Sequence, residues 1–330
     1  MKIMDCTLRD GANVVGKGFD AKLTKMMIEG LIRCGITTIE MGNCLGLGAY
    51  EANKSISPLT DVEYLELVQP YLDKAEIGMF MGWRNATEEN IQLAVKYGLN
   101  FLRIGANAGD GEMAAEAVKR VKAAGLTCRY SIMKAYILTP EEEAKEALML
   151  QGCGLDEITV MDSAGTMMPD EVKAYCAALS SVLSIPVAFH GHNNLGLSVA
   201  NALAAVEGGA TVLDTGLLGM ARSAGNCSTE LLVAAFQRKG WFKEIDLYGL
   251  LDFLDNELIP AMKEISPYQP PVTPNDLVYG LAGCHSSFSK TLEAVAEEKK
   301  VPLYKLIIEV SKIDQKAPSR ELMETVAEKL

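Results

Sequence analysis

Several features of common protein classes are missing from this sequence. It has no run of about 18 apolar residues, so we expect no transmembrane helix and no membrane partner. Its formal net charge is −12, so it lacks the basic face that nucleic-acid binding needs. Its eight cysteines form no Cys-x-x-Cys pair and favour reduced, buried thiols over disulfides. The first residues read as a strand without signal-peptide character, and a cytoplasmic location is expected.

Short apolar segments alternate with helical patterns over the first 240 residues or so. Continuous apolar strands, as opposed to alternating ones, indicate a parallel sheet that is buried on both faces. We therefore predict an α/β fold, a (β/α)8 TIM barrel. The alternative is a doubly wound open sheet, but no Gly-x-Gly-x-x-Gly follows the first strand to support it. The predicted strands are 3–8, 37–41, 76–81, 101–104, 126–133, 157–161, 187–190 and 210–214.

The pattern changes past Trp241, where only helical periodicity is found. The segment 267–274 contains four prolines and marks a boundary before predicted helices at about 276–297 and 302–312. We predict a catalytic barrel domain over residues 1–264 and a small helical C-terminal extension over residues 265–330.

Two of only three histidines, His190 and His192, stand at the end of the seventh predicted strand. Strand side chains alternate, so these two imidazoles point the same way and form half of a site for a divalent metal. Taken alone, the pair is weak evidence for a metal and favours a packing or hydrogen-bonding role. Asp10, after the first strand, adds a hard oxygen, and two imidazoles with one carboxylate leave open positions for a chelating substrate. The alternative for Asp10 is a helix cap or a loop salt bridge.

Other charged residues fall where a barrel of this type carries its active site, at the carboxyl ends of the strands. Arg9 cannot lose its proton, so it suits the stabilisation of an oxyanion, and a pair with Glu40 is compatible with that role. Asp162 either orients a ligand or caps the following helix. Three further cations lie near strand ends: Arg84, Arg103 and Lys134. They either bind a second anionic group of the substrate or form peripheral salt bridges, and we favour the salt bridges.

Three separated motifs resemble those of the DRE-TIM metallolyase superfamily. Residues 5–11 (DCTLRDG) resemble its N-terminal signature, 190–193 (HGHN) its His-x-His motif, and 219–226 (GMARSAGN) its glycine-rich loop. The resemblance implies a divalent cation, with Mn²⁺ or Mg²⁺ ahead of Co²⁺ or Zn²⁺. It also implies that Arg9 stabilises an enolate and that Glu40 completes the motif for which the superfamily is named. The implied metal ligands are Asp10, His190 and His192, with Asn226 near or at the metal.

Within that superfamily the chain is most similar to the 4-hydroxy-2-oxovalerate aldolases. The similarity lies in residues 160–165 (VMDSAG), 192–195 (HNNL) and 282–288 (AGCHSSF). It implies cleavage or formation of a 4-hydroxy-2-oxoacid from pyruvate and an aldehyde, with a small 2-oxoacid as the binding partner. The residues expected near the substrate are Asp162, Ser163 and Asn13.

The sequence departs from that family at the base and at the C-terminus. Asn13 stands where the aldolases have a histidine base, and His285 stands where they have a tyrosine. Our hypothesis is that His285 acts as the general base, directly or through water; the alternative is a histidine that pairs with a carbonyl at a helix start. Residues 316–321 (KAPSRE) replace the segment of aldolases that channel to a dehydrogenase, so such a partner is doubtful, and a homodimer through the extension is plausible.

Two competing functions share the same metal site. One is an acyl-CoA Claisen-condensing synthase of the isopropylmalate or homocitrate synthase type, although about 65 residues of extension leave little room for its longer C-terminal region. A lyase of the hydroxymethylglutaryl-CoA type is disfavoured because residues 218–221 (LGMA) contain no cysteine. The other is a catalytically silent barrel, which the presence of Asn13 supports.

Overall fold

Eight parallel strands close into a barrel in sequence order, β1 to β8, in the computed structural model, which describes residues 1–52, 57–265 and 274–330. The predicted TIM barrel is therefore confirmed. The strands are β1 Lys2–Asp5, β2 Thr38–Met41, β3 Glu76–Gly82, β4 Phe101–Asn107, β5 Thr127–Met133, β6 Glu157–Asp162, β7 Val187–Gly191 and β8 Val212–Thr215.

Helices surround the strands and bury their apolar faces against them. Local signals set where they begin: Thr139 and Glu142 form a capping box at the start of one helix, with Pro140 at its first position. No described helix is both long and apolar enough to cross a bilayer. The helices up to residue 265 are α1 Ala21–Arg33, α2 Ala49–Ala52, α3 Asp61–Val68, α4 Glu88–Lys96, α5 Gly111–Ala123, α6 Pro140–Gly152, α7 Pro169–Val182, α8 Ser198–Glu207, α9 Thr229–Arg238, α10 Leu247–Phe253 and α11 Ile259–Lys263.

The inside of the barrel is filled in layers along its axis. A small apolar cluster that includes Met4 and Phe101 separates two layers of charge. Towards the amino ends of the strands, Arg129 lies between Glu76 and Glu157. The other charged layer lies towards the carboxyl ends and leads into the functional site. Filled layers of this kind make the interior a packed core and leave the strand ends for chemistry.

The extension has its own apolar core, formed by helices α12 Pro274–Ala282, α13 Ser289–Lys299, α14 Leu303–Ser311 and α15 Arg320–Ala327. It is joined to the carboxyl ends of the strands by polar contacts. Lys134 Nζ donates to the carbonyl of Lys316 at 2.6 Å, and Lys316 Nζ pairs with Asp110 at 2.7 Å. The extension therefore packs over the side of the barrel where the predicted site lies. The boundary at 264/265 stays a prediction.

Three details of the predicted helices are wrong. The predicted helix 276–297 is two helices, because Gly283 takes φ +65° and ends the first, and a 3-10 turn at Ser286–Phe288 precedes the second. The helix after β7, for which the helical spacing of Leu195 and Val199 predicts a start at Leu195, begins at Ser198, since residues 193–197 form its entry turn. The last helix, α15, was not predicted. Of the proline-rich segment 267–274, only Pro274 is among the described residues.

Candidate metal centre

Asp10, His190 and His192 meet at the carboxyl ends of β1 and β7. Oδ2 of Asp10 lies 3.6 Å from Nε2 of His190 and 3.7 Å from Nε2 of His192. All three residues are buried. One possible ligand atom from each lies within 4.8 Å of the other two, so the three atoms are close enough to bind one ion. The structure thus brings together the three ligands predicted from two distant segments.

Hydrogen bonds to neighbouring residues prepare these ligands for a cation. Nδ1 of His190 lies 3.0 Å from Oδ2 of Asp214, which places the ring proton on that side and leaves the Nε2 lone pair facing Asp10. Asn226 donates from Nδ2 to Asp10 Oδ2 at 3.0 Å, while its own Oδ1 is buried without a hydrogen-bond partner. An orphaned amide oxygen beside one carboxylate and two imidazoles fits a divalent cation. Asn226 thus lies beside Asp10, and its part in metal binding stays a prediction.

The protonation states of two of the three proposed ligands suit metal binding, whereas a proton competes with a metal at His190. Burial lowers the pKa of His190, but its hydrogen bonds to Asp10 and Asp214 outweigh burial and raise that pKa. Burial raises the pKa of Asp10, but Arg9 and the two histidines outweigh it and hold that pKa well below its usual range. Burial, with help from the charges of His190, Arg222 and Arg9, lowers the pKa of His192 to about 3. At neutral pH Asp10 is therefore ionised and His192 is a neutral imidazole, the forms that a metal requires.

Arg9 is fixed beside the metal ligands by two carboxylates. Its Nη1 lies 3.1 Å from Asp10 Oδ1, its Nε donates to Glu40 Oε1 at 3.1 Å, and its guanidinium stacks over Phe80 at 5.0 Å. Glu40 is fully buried, so it reaches a substrate only through Arg9. The arrangement presents a permanent positive charge next to the predicted metal position.

Arg103 is not peripheral, contrary to the interpretation favoured from the sequence. It lies in the middle of β4, points into the barrel, and is fully buried between Glu40 and Asp214, with which it forms ion pairs. A closed ring of contacts results, in the order Asp10, Arg9, Glu40, Arg103, Asp214, His190 and back to Asp10. Its first five members alternate in charge, and His190 is charged only when it is protonated. The sequence placed Asp214 at a strand end but assigned it no role.

The three residues expected near the substrate have different surroundings. Asn13 donates from Nδ2 to the carbonyl of Asp10 at 2.8 Å and to its carboxylate at 3.2 Å. The carboxylate of Asp162 accepts from the backbone N–H groups of Thr166 and Met167, each at 3.0 Å. Both lie in the loop before α7, whose N-cap is Met168, so Asp162 does not cap that helix. Ser163 Oγ accepts from the backbone N–H of Lys134, whose φ is +58°. Asn13 thus adjoins the ligands, while Asp162 and Ser163 hold loops in place.

His285 lies in the segment between α12 and α13, partly buried. Its Nδ1 accepts from the backbone N–H of Ser287 at 3.2 Å and lies 2.7 Å from the Ser287 hydroxyl. Burial, then the charges of Arg222, Lys134 and His192, lowers its pKa well below the usual range. The imidazole is therefore neutral at physiological pH. Its partner is a backbone N–H and not the carbonyl considered from the sequence.

Arg222 is a cation of the site to which the sequence gave no role. It lies on the loop between β8 and α9, four residues before Asn226, and its charge contributes to the lowered pKa of His192 and of His285. Among the residues that the structure describes, its guanidinium has no carboxylate partner within 4.0 Å. A single sequence carries no signal for an unpaired arginine, since pairing depends on residues from other segments.

These features define a class: a TIM barrel with a facial set of one carboxylate and two imidazoles at its strand ends, and an arginine in contact with that set. Comparison with known proteins then gives the family, because the HMGL-like family profile matches residues 1–256. The chain belongs to the HMGL-like family, and the predicted DRE-TIM resemblance is confirmed. A divalent metal is expected for this family, which agrees with the ligand set.

The relatives narrow the family further. The chain is 35% identical to 4-hydroxy-2-oxovalerate aldolase 2 of Nocardia farcinica, over 94% of this chain and 88% of that protein. It is 30% identical to the 4-hydroxy-2-oxovalerate aldolase of Carboxydothermus hydrogenoformans, over 100% of this chain and 97% of that one. The prediction of a carbon–carbon lyase family is thereby confirmed.

Solved structures share the fold at lower identity. An N-terminal domain from Bacteroides vulgatus, described as an aldolase, matches with a TM-score of 0.73 and 21% identity, over 90% of this chain and 97% of that one. The carboxyl transferase domain of Rhizobium etli pyruvate carboxylase matches with a TM-score of 0.78 and 16% identity, over 100% of this chain and 61% of that one. These likenesses support the barrel architecture alone.

Proposed function

We propose that the chain is a divalent-metal-dependent aldolase that cleaves, or forms, a 4-hydroxy-2-oxoacid from pyruvate and an aldehyde. The observation that carries the proposal is the contact of Arg9 with Asp10, beside His190 and His192, in a chain whose relatives are 4-hydroxy-2-oxovalerate aldolases. Mn²⁺ or Mg²⁺ is the ion we propose, since an acidic oxygen and an amide oxygen join the two imidazoles.

A divalent cation held by Asp10, His190, His192 and Asn226 supplies a Lewis acid for the 2-oxoacid. The chain's own groups do the rest. Arg9 stabilises the negative charge that develops on the oxygen at C2 as the bond between C3 and C4 breaks. The electron pair of that bond passes to the pyruvate enolate, C4 becomes the aldehyde carbonyl, and C3 then takes up a proton. Glu40 acts through Arg9, by holding its guanidinium.

His285 is proposed as the group that takes the proton of the C4 hydroxyl. Its neutral state is supported by its lowered pKa, and Ser287 serves both of its tautomers. In the observed geometry Nδ1 accepts from the Ser287 backbone N–H, so the ring proton is on Nε2. To act as the base through Nε2, the ring has to take the other tautomer, in which Nδ1 donates to the Ser287 hydroxyl at 2.7 Å and Nε2 is free. Asn13, an amide, has no comparable basicity.

The first test measures two reactions, proton exchange of pyruvate and cleavage of 4-hydroxy-2-oxovalerate. Wild-type protein with Mn²⁺ should exchange the methyl protons of pyruvate in deuterated water, followed by ¹H NMR, and should release pyruvate from 4-hydroxy-2-oxovalerate without acetyl-CoA. Asp10→Asn should lower both rates by at least about tenfold, because the carboxylate ligand is lost.

Chelation with EDTA should abolish both reactions, and added Mn²⁺ should restore them. A wild-type protein that neither exchanges nor cleaves with any divalent metal would be the silent barrel, and the proposal would fail. A requirement for acetyl-CoA would point to the condensing synthases instead. Cytoplasmic location and self-association stay predictions.

A further inference from the structure

Among the residues that the structure describes, Arg103 has the largest side chain that is fully buried. Its two terminal nitrogens reach two different carboxylates, Glu40 on β2 and Asp214 on β8, and it also donates to the sulfur of Cys6 at 3.5 Å. No solvent reaches any of these groups, and Arg103 is too deep to touch a substrate. We propose that Arg103 is a positioning residue that sets the orientation of both Arg9 and His190.

One half of this role runs through Glu40. Oε1 of Glu40 accepts from Arg9 Nε at 3.1 Å, while its Oε2 is held by Arg103. Because Arg103 holds one oxygen of the Glu40 carboxylate, this group can rotate little. The direction of the Arg9 guanidinium, which is bonded to the other oxygen, is therefore fixed. This matters because Arg9 must point at the oxygen where charge develops.

The other half runs through Asp214. A single oxygen, Oδ2, is bonded both to Arg103 and, at 3.0 Å, to Nδ1 of His190. Arg103 therefore determines where the acceptor for the His190 ring proton lies, and through it which way Nε2 points. A group that fixes the orientation of a metal-binding imidazole in this way typically changes metal affinity about 10- to 100-fold when it is lost.

A planar fork is what allows one side chain to bridge two strands. A lysine carries one nitrogen and can satisfy only one of the two carboxylates, so Arg103→Lys keeps the charge and removes the bridge. The sequence supplies a matched control in Arg129, which is the register partner of Arg103 on β5. It is also buried and bridges two carboxylates, those of Glu76 and Glu157, which stand at the first positions of β3 and β6.

The experiment compares Arg103→Lys with Arg129→Lys in the full chain. Mn²⁺ affinity is measured from the EPR signal of free Mn²⁺, and kcat and KM are measured for methyl-proton exchange of pyruvate. For Arg103→Lys we expect Mn²⁺ affinity about 10- to 100-fold weaker and a kcat at least about tenfold lower. For Arg129→Lys we expect Mn²⁺ affinity within about twofold of wild type, even with a comparable loss of thermal stability.

A second pair of variants covers the case in which Arg103→Lys does not fold. Asp214→Asn keeps an acceptor for His190, and Asp214→Asn with Arg103→Met removes one charge of each sign, so no new buried charge is left unpaired. Adding Arg103→Met to Asp214→Asn should weaken Mn²⁺ binding by a further tenfold or so. Wild-type Mn²⁺ affinity and kcat in folded Arg103→Lys, or no further loss in the double variant, would overturn the inference.

The kcat measurement rests on the proposed function, but the Mn²⁺ measurement does not. If wild-type protein binds Mn²⁺ and exchanges pyruvate protons while Arg103→Lys does the same, only the role of Arg103 fails. If wild-type protein binds no Mn²⁺ and exchanges nothing, the proposed function fails first.

Discussion

Under the proposed function, Asn13 and His285 have separate roles. Asn13 keeps a hydrogen bond to the Asp10 carboxylate, at 3.2 Å, and so helps hold a ligand. It cannot accept a proton from a hydroxyl at neutral pH. His285 has the basic nitrogen and contributes no contact to the metal ligands. Binding and proton transfer are thus assigned to residues 272 positions apart in the chain, which have to be tested separately.

Replacement of His285 by alanine should lower kcat for cleavage of 4-hydroxy-2-oxovalerate by about 10²- to 10⁴-fold, because a positioned base is lost. Burial and the cations Arg222 and Lys134 lower the pKa of His285, so the base becomes protonated only in more acid solution than a free histidine. The acid limb of kcat/KM against pH that depends on His285 should therefore lie below pH 6.5. Steady-state cleavage rates over pH 5 to 9 measure both effects.

Ser287→Ala is the matched control for that prediction, since it removes the hydroxyl at Nδ1 and keeps the imidazole. It should cost less than the loss of His285. The double variant His285→Ala with Asn13→His should recover part of the activity, because it returns a base to the position where the aldolases carry one. Wild-type turnover in His285→Ala would rule out this residue as the base.

At the scale of elements, the loop between β8 and α9 carries Asn226 into the site by a tight turn. Gly225 takes φ +85°, and a Cβ there would lie 2.1 Å from the carbonyl oxygen of Gly219. The same turn is held by Asn226 N–H to Gly219 at 3.0 Å and by Asn193 N–H to Gly225 at 2.8 Å. Neither the conformation nor the space admits a side chain.

Gly225→Ala should therefore displace Asn226 and weaken Mn²⁺ binding by at least about tenfold, as expected when a group around a metal is moved. Gly125→Ala is the control, because Gly125 has a similar φ of +82° with nothing within 4 Å of the added Cβ. That variant should lose about 1 kcal/mol of stability from backbone strain and keep its Mn²⁺ affinity. Equal Mn²⁺ affinity in both variants would contradict the role given to the loop.

Much of the barrel, and the proposed set of metal ligands, could be predicted from the sequence because the patterns that indicate them lie within short segments. Period-two alternation puts His190 and His192 on one side, and parallel strands bring their carboxyl ends, with Asp10, to one face. The pairing of Arg103 with Asp214 joins residues 111 positions apart, and no local pattern encodes it. The helix predicted over 276–297 runs through Gly283, whose φ of +65° ends α12, so the break between the two helices was missed.

At the scale of the whole molecule, two apolar cores are stacked with the functional site at their junction. The main core draws its buried residues from positions 3 to 262, and the second draws its own from positions 279 to 327. Between them Ser223 Oγ donates to Asp276 at 3.0 Å, which ties the loop of Asn226 to the extension. The barrel thus supplies the proposed metal ligands of the site, and the extension supplies the proposed base, His285.

This division predicts the behaviour of the barrel expressed alone, as residues 1–264. A domain with its own core folds independently, so the fragment should show cooperative unfolding by circular dichroism. Its Mn²⁺ affinity should stay within about tenfold of that of the full chain, because every proposed ligand is retained. What the loop of Asn226 loses is the hydrogen bond from Ser223 to Asp276. Cleavage of 4-hydroxy-2-oxovalerate should fall to the level of full-length His285→Ala, the matched control, because both lack the same base. An unfolded fragment would show that the boundary at 264/265 is misplaced, and a fragment that cleaves at the wild-type rate would show that the extension contributes nothing to the reaction.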